Sequence, residues 1–151
     1  MLRDIVWTVM VMLALILLFG SIPGNARSAG PLQSTAQGVF SDAQSARGRN
    51  AYLANCSSGC HGPNLLGGGS APALAGDAFI ARWRGMAIYT LFDAIRSTMP
   101  KNRPHSLTDA TYTDIVAFLL DANGFPSTEH ELVADPSTLK RIAISDPNAP
   151  G

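Results

Sequence analysis

Cysteine is scarce in this chain. There are two, Cys56 and Cys60, and both lie in one short turn. No thiol is left for a staple elsewhere, so the fold is held by an apolar core, a bound group, or both. Net charge is absent as well: 11 Lys and Arg balance 11 Asp and Glu over 151 residues, which argues against a nucleic-acid binder. No stretch alternates convincingly between apolar and polar with a period of two, so a sheet protein is not expected and the predicted class is all-α. The length sets an expectation of one domain. About 120 residues beyond the N-terminal run are enough to bury a usable core, which a large apolar group would extend.

One long apolar run is present. Residues 5–19 hold only Thr8 as a polar side chain, after Met1-Leu2-Arg3-Asp4 and before a small-residue stretch over 20–29. This is the layout of a secretory signal over 1–26, with cleavage expected after Ala26. The alternative is an uncleaved anchor, because the run is short of the ~20 residues of a full span but extends to Ile22. Either way the remainder is exported to an oxidising compartment. The expected location is the periplasm, with attachment to the inner membrane only if the segment is kept. Residues 27–41, rich in Gly, Ser, Pro, Gln and Ala, read as a flexible lead-in.

A first helix is expected over 42–55, capped by Ser41. Gly48 and Tyr52 fall on one face of it. A glycine costs a helix ~1 kcal/mol relative to alanine, so close approach of another backbone is the expected reason for Gly48. Residues 62–72 are loop by every local signal, and a long Gly-rich loop in a compact domain is usually functional. A short helix over 77–84 carries Phe79, Ile80 and Trp83. A clearer one runs over 86–98, with Ile88, Leu91, Phe92 and Ile95 as its apolar stripe. Pro100 ends it and pushes Met99 into an extended conformation. The last main helix opens with Ser106 or Thr108 as cap, buries Tyr112, Ile115, Val116 and Leu119, and stops at Asn123-Gly124. These elements define a domain over 42–125. The remainder, 126–151, is expected as an extended tail with a helical turn over 136–140.

The chemistry lies in Cys56-Ser57-Ser58-Gly59-Cys60-His61. Cys-x-x-Cys-His is the attachment signature of a c-type haem, and this stretch carries one residue more. Two thiols in one turn can form thioethers on both sides of a macrocycle, and the adjacent imidazole is directed at the iron. His on one face and Met on the other is the arrangement of electron-transfer cytochromes. Met99, ending a helix beyond the Gly-rich loop, is the expected second ligand; Met86 and His105 are alternatives. A Cys56–Cys60 disulfide or a partial metal site are the readings without haem.

From residue 45 to 144 the chain resembles a class I, single-haem c-type cytochrome. Gly48, Tyr52, Cys56, Cys60, His61, Met99 and the helix containing Tyr112 fall in that family's order and rough spacing. Ser97-Thr98-Met99-Pro100, Pro104-His105-Ser106-Leu107-Thr108-Asp109 and Asn123-Gly124 are similar to cytochromes associated with quinoprotein dehydrogenases. The resemblance implies a cytochrome c fold whose first and last helices cross around one covalently attached haem c. Gly48 and Tyr52 would meet Ile115 and Phe118. His61 and Met99 would be the axial ligands. The Pro72 carbonyl would accept the His61 ring N–H, and Trp83 would lie near the haem propionates. The extra residue departs from the pattern. Ser57, Ser58 and Gly59 are small, and Gly59 can take positive φ, so a bulged turn can absorb it.

The implied function is a carrier of single electrons, not an enzyme, between redox proteins: a dehydrogenase as donor, an oxidase or another cytochrome as acceptor. The rival reading is a haem enzyme or gas sensor with an open sixth position. Over 82–103 five basic residues, Arg82, Arg84, Arg96, Lys101 and Arg103, face one acid, Asp93, while 109–135 holds six acids and no base. Such polarity would steer an acidic partner towards the Met99 loop.

Overall fold

A computed structural model describes residues 33–148. The signal or anchor expected over 1–26 lies outside the described residues. Among the described residues five α-helices carry the fold: α1 (Asp42–Asn55), α2 (Asp77–Trp83), α3 (Ile88–Thr98), α4 (Asp109–Ala122) and the single turn α5 (Pro136–Leu139). Two short strands, β1 (Gln33–Ser34) and β2 (Ile142–Ala143), pair in parallel, with Gln33 opposite Ile142 and Ser34 opposite Ala143. The architecture is mostly α, as expected. A two-residue strand is too short to leave an alternating pattern, so neither was legible in the sequence.

The first and last main helices, α1 and α4, make the most extensive contact of the fold. Gly48 is the reason they approach so closely. A Cβ at this position would overlap the Asp114 carbonyl oxygen and lie 3.0 Å from Cβ of Phe118. One turn on, the Tyr52 and Phe118 rings meet at a tilt of 47° with centroids 5.3 Å apart. The helix starts are capped as the local sequence dictates: Ser41 Oγ accepts from Gln44 N–H at 3.1 Å, and Thr108 Oγ1 from Thr111 N–H at 3.1 Å. Of the two caps considered for α4, Thr108 is the one used.

Two segments behave differently from expectation. The described part of the lead-in, 33–41, belongs to the core: Thr35, Val39 and Phe40 are buried. Thr128 N–H donates to the Phe40 carbonyl at 2.7 Å. The tail also is more than an extended strap. Leu132, Leu139, Ile142 and Ile144 are buried in the same core as the helices. The Gln44 amide, itself buried, donates to Leu132 O at 2.8 Å and accepts from Leu132 N–H at 2.7 Å, locking tail to α1. A low-complexity composition misled here because a few large side chains, Phe40 above all, suffice to anchor a segment when a partner surface exists.

The tail also trims α3. Gly85 N–H donates to Ile144 O and Ile144 N–H to Met86 O, both at 2.8 Å. Residues 85–87 are thus held as a bridge to the tail, and the helix starts at Ile88 with Ala87 extended.

Candidate haem site

The turn after α1, the loop over 62–72, α2, α3 and the Met99 loop enclose one cavity of about 550 Å³, within the range of cofactor sites. Cys56, Cys60, His61, Pro72, Trp83 and Met99 all line it, with Leu91, Ile95, Ile115 and Leu119 as apolar walls. The structure therefore brings together all six site residues read from the sequence. Met86 and His105 are not among the lining residues, and both are exposed.

His61 is buried. Its Nδ1 lies 3.0 Å from the Pro72 carbonyl. A carbonyl oxygen can only accept, so Nδ1 carries the proton and Nε2 is left as a free lone pair. Such a bond fixes ring orientation and raises the basicity of the ligating nitrogen. The loop that supplies Pro72 is tightly closed: Gly67 N–H donates to His61 O at 3.0 Å and Leu74 N–H to Leu65 O at 2.7 Å. A Cβ on Gly67 would lie 2.8 Å from the Pro72 oxygen itself. The Gly-rich composition is thus what lets the carbonyl reach the imidazole.

Cys56 is half-buried and Cys60 exposed, and both are free thiols. Burial, with Cys60 adding to it, pushes the Cys56 thiol up to about 11, so it is protonated at neutral pH. Tyr52 donates to the Gly62 carbonyl at 2.5 Å, pinning the chain just past His61, and burial raises its phenol to about 12.

Met99, which also lines the cavity, is the extended residue that closes α3 (φ −126°, ψ 151°). Its backbone is held on both sides: Met99 N–H donates to Ile95 O at 2.8 Å, and Tyr112 Oη donates to Met99 O at 2.9 Å. Arg103 from the same loop donates to Asn55 Oδ1 at 2.7 Å, which ties this loop to the residue before Cys56. Sequence reasoning read Tyr112 only as a core residue and missed both ties. Their signal is tertiary: a buried tyrosine needs an acceptor, but its identity depends on how α3 and α4 pack.

Trp83 is buried, and the Arg82 guanidinium sits 5.2 Å over its ring, a cation–π contact. Of the five basic residues over 82–103, Arg84 pairs with Asp146 at 3.1 Å and Arg96 with Asp109 at 2.6 Å. Arg82, Lys101 and Arg103 line the cavity. The acids over 109–135 are similarly engaged in part, since Asp114 and Glu131 both bind Arg47.

The family model for cytochrome c oxidase, cbb3-type, subunit III matches residues 43–119. The chain belongs to this family. It is a c-type cytochrome domain, a haem-based carrier of electrons with redox proteins as partners. The matched span begins inside α1 and ends inside α4, so it contains the cysteine turn, the Gly-rich loop and Met99. No curated protein and no solved structure matches the chain. Among the described residues no helix is long and apolar enough to cross a membrane.

The residues present fit a c-type haem. One cavity is lined by two free thiols, an imidazole whose Nδ1 is engaged by the Pro72 carbonyl so that Nε2 is the candidate ligand atom, a thioether sulfur and aliphatic walls.

Proposed function

We propose that this chain is an exported single-haem cytochrome that passes one electron at a time between periplasmic redox proteins. One observation carries the reading: Cys56, Cys60, His61 and Met99 all line a single cavity. A haem bound there supplies the one-electron iron couple. Cys56 and Cys60 would attach it, and His61 and Met99 would hold its iron, a donor pair that raises the potential of the couple. Leu91, Ile95, Ile115 and Leu119 exclude water. Trp83, beneath the Arg82 guanidinium, would lie near the haem propionates. Arg82, Lys101 and Arg103 form a basic rim that draws an acidic partner to the site.

The resemblance to cytochromes of quinoprotein dehydrogenases supports a dehydrogenase as donor. The family's description as an oxidase subunit supports an oxidase or another cytochrome as acceptor. The test is expression in a host that matures c-type cytochromes. Denaturing mass spectrometry is expected to show one haem retained covalently. The oxidised protein is expected to show the long-wavelength band of a methionine–iron bond, lost in Met99→Ala along with a drop in potential. Rapid CO binding by the reduced wild type would instead reveal an open sixth position and overturn the carrier reading.

A further inference from the structure

The turn between the cysteines holds one residue more than Cys-x-x-Cys-His, and its path is visible. His61 N–H donates to Cys56 O at 3.2 Å and Gly62 N–H to Ser57 O at 3.0 Å. An α-helical turn closes residue i onto i−4; both of these close onto i−5, the wider turn that accommodates a single inserted residue. The insertion is taken up at Ser58 (φ −69°, ψ 118°) and Gly59 (φ 71°, ψ −1°), which leave the helical path. Both are exposed, and a Cβ built on Gly59 has nothing within 4 Å. Gly59 therefore faces open space, while Ser58 also lines the cavity.

Its two ends are fixed. Cys56 N–H still donates to Tyr52 O at 2.8 Å, and Ser57 Oγ to Leu53 O at 2.8 Å, so Cys56 stays attached to α1. Cys60 travels with His61, which Pro72 holds. Cys56, Cys60 and His61 thus line one cavity in spite of the longer spacing.

We propose that Gly59 is a positioning residue: its left-handed conformation closes the longer turn so that both Cys56 and Cys60 stay on the cavity and form thioethers to one haem. This rests on the haem reading above. Each bond is an addition. The sulfur bonds to the vinyl carbon next to the ring, the thiol hydrogen goes to the terminal vinyl carbon, and the double bond becomes single. Nothing is oxidised or reduced, so no further reactant is needed. A β-branched residue at Gly59 places its Cβ in open space but strongly resists positive φ, whereas asparagine tolerates it.

The experiment reads the number of vinyl groups left on bound haem. Each unreacted vinyl stays conjugated with the ring and moves the main visible band of the reduced pyridine complex to longer wavelength. Holoprotein of the wild type, Gly59→Asn, Gly59→Val, Cys56→Ala and Cys60→Ala is compared, all normalised to bound haem so that yield does not enter. The wild type and Gly59→Asn are expected to show a band at shorter wavelength than either cysteine variant. Gly59→Val is expected to contain several-fold more singly attached haem than the wild type. A wild-type band coinciding with a cysteine variant, or a Gly59→Val band coinciding with the wild type, overturns the inference and leaves the cytochrome assignment intact. Absence of covalent haem from the wild type overturns both.

Discussion

Tyr112 shows how one hydroxyl can couple core to site. Its ring packs edge-on against Phe92 in the core, and its hydroxyl donates to the Met99 carbonyl. Tyr112→Phe keeps the ring and removes the bond. The expected cost is about 1 kcal/mol in a denaturant titration, accompanied by weakening of the methionine–iron band at lower denaturant than global unfolding. A purely structural tyrosine would lower the midpoint without moving that band. Gly48 makes an opposite kind of point. Glycine-to-alanine in a helix ordinarily stabilises by up to ~1 kcal/mol. Here the new methyl would strike the Asp114 backbone, which cannot rotate away, so α1 and α4 must part. Gly48→Ala is expected to destabilise by about 3 kcal/mol, the upper part of the range for overpacking. A stabilised variant in thermal denaturation would show that the helices do not meet there.

At the scale of elements, α5 depends on a cap. Asp135 accepts from the Thr138 amide at 2.8 Å and from the hydroxyls of Ser137 and Thr138. Those bonds, Ser137 first, lower its carboxyl to about 2. The folded value lies below the unfolded one, so the contribution is complete above pH ~4 and is lost as pH falls towards 2. The protection factor of the Thr138 amide, the intrinsic exchange rate at each pH over the observed one, is expected to fall across that window, and Asp135→Asn is expected to weaken the dependence. A protection factor constant from pH 5 to 2 would remove the cap from the account. The α1–α4 pair is further held at its solvent edge by Arg47, whose guanidinium bridges Glu131 of the tail and Asp114 of α4. Both acids raise the Arg47 value, Glu131 the more. Such exposed pairs contribute little individually, and the buried Gln44–Leu132 exchange is the stronger tie between tail and helix.

For the whole molecule, the tail is a structural part of the domain. Leu132, Leu139, Ile142 and Ile144 are buried in the common core. At roughly 1.5–3 kcal/mol for each fully buried side chain, together they match the ~5–15 kcal/mol that a domain has in total. A chain stopped after Phe125 is expected to lose its cooperative thermal transition; an unchanged midpoint would make the tail dispensable. The charge distribution yields a kinetic prediction. Because Arg84 and Arg96 are paired with acids, steering falls to Arg82, Lys101 and Arg103 at the cavity. Electron transfer to an acidic partner is expected to slow as salt rises, and Lys101→Glu to slow it further and flatten the slope. A rate indifferent to salt would mean that the rim does not dock.

Much of this was legible in local sequence because its causes are local. Apolar spacing over 88–98 and 109–122, caps at Ser41 and Thr108, the stop at Asn123-Gly124, and thiols beside an imidazole in one turn all act over a few residues. The all-α class, and Cys56, Cys60 and His61 as candidates for a haem turn, follow from these, whereas Pro72 and Trp83 entered only through the resemblance to c-type cytochromes. What the sequence could not determine alone depends on segments far apart in the chain. Phe40 is core only because the tail returns beside it. Ala87 is extended only because Ile144 bonds to its neighbour Met86. Gly48 is required only because Asp114 arrives at its surface, and Tyr112 reaches Met99 only because α3 and α4 pack as they do. Propensity and capping energies are properties of short windows; burial and hydrogen-bond satisfaction are settled when distant windows meet. The sequence determined which side chains could hold a haem, and the tertiary structure decided that they face a single cavity.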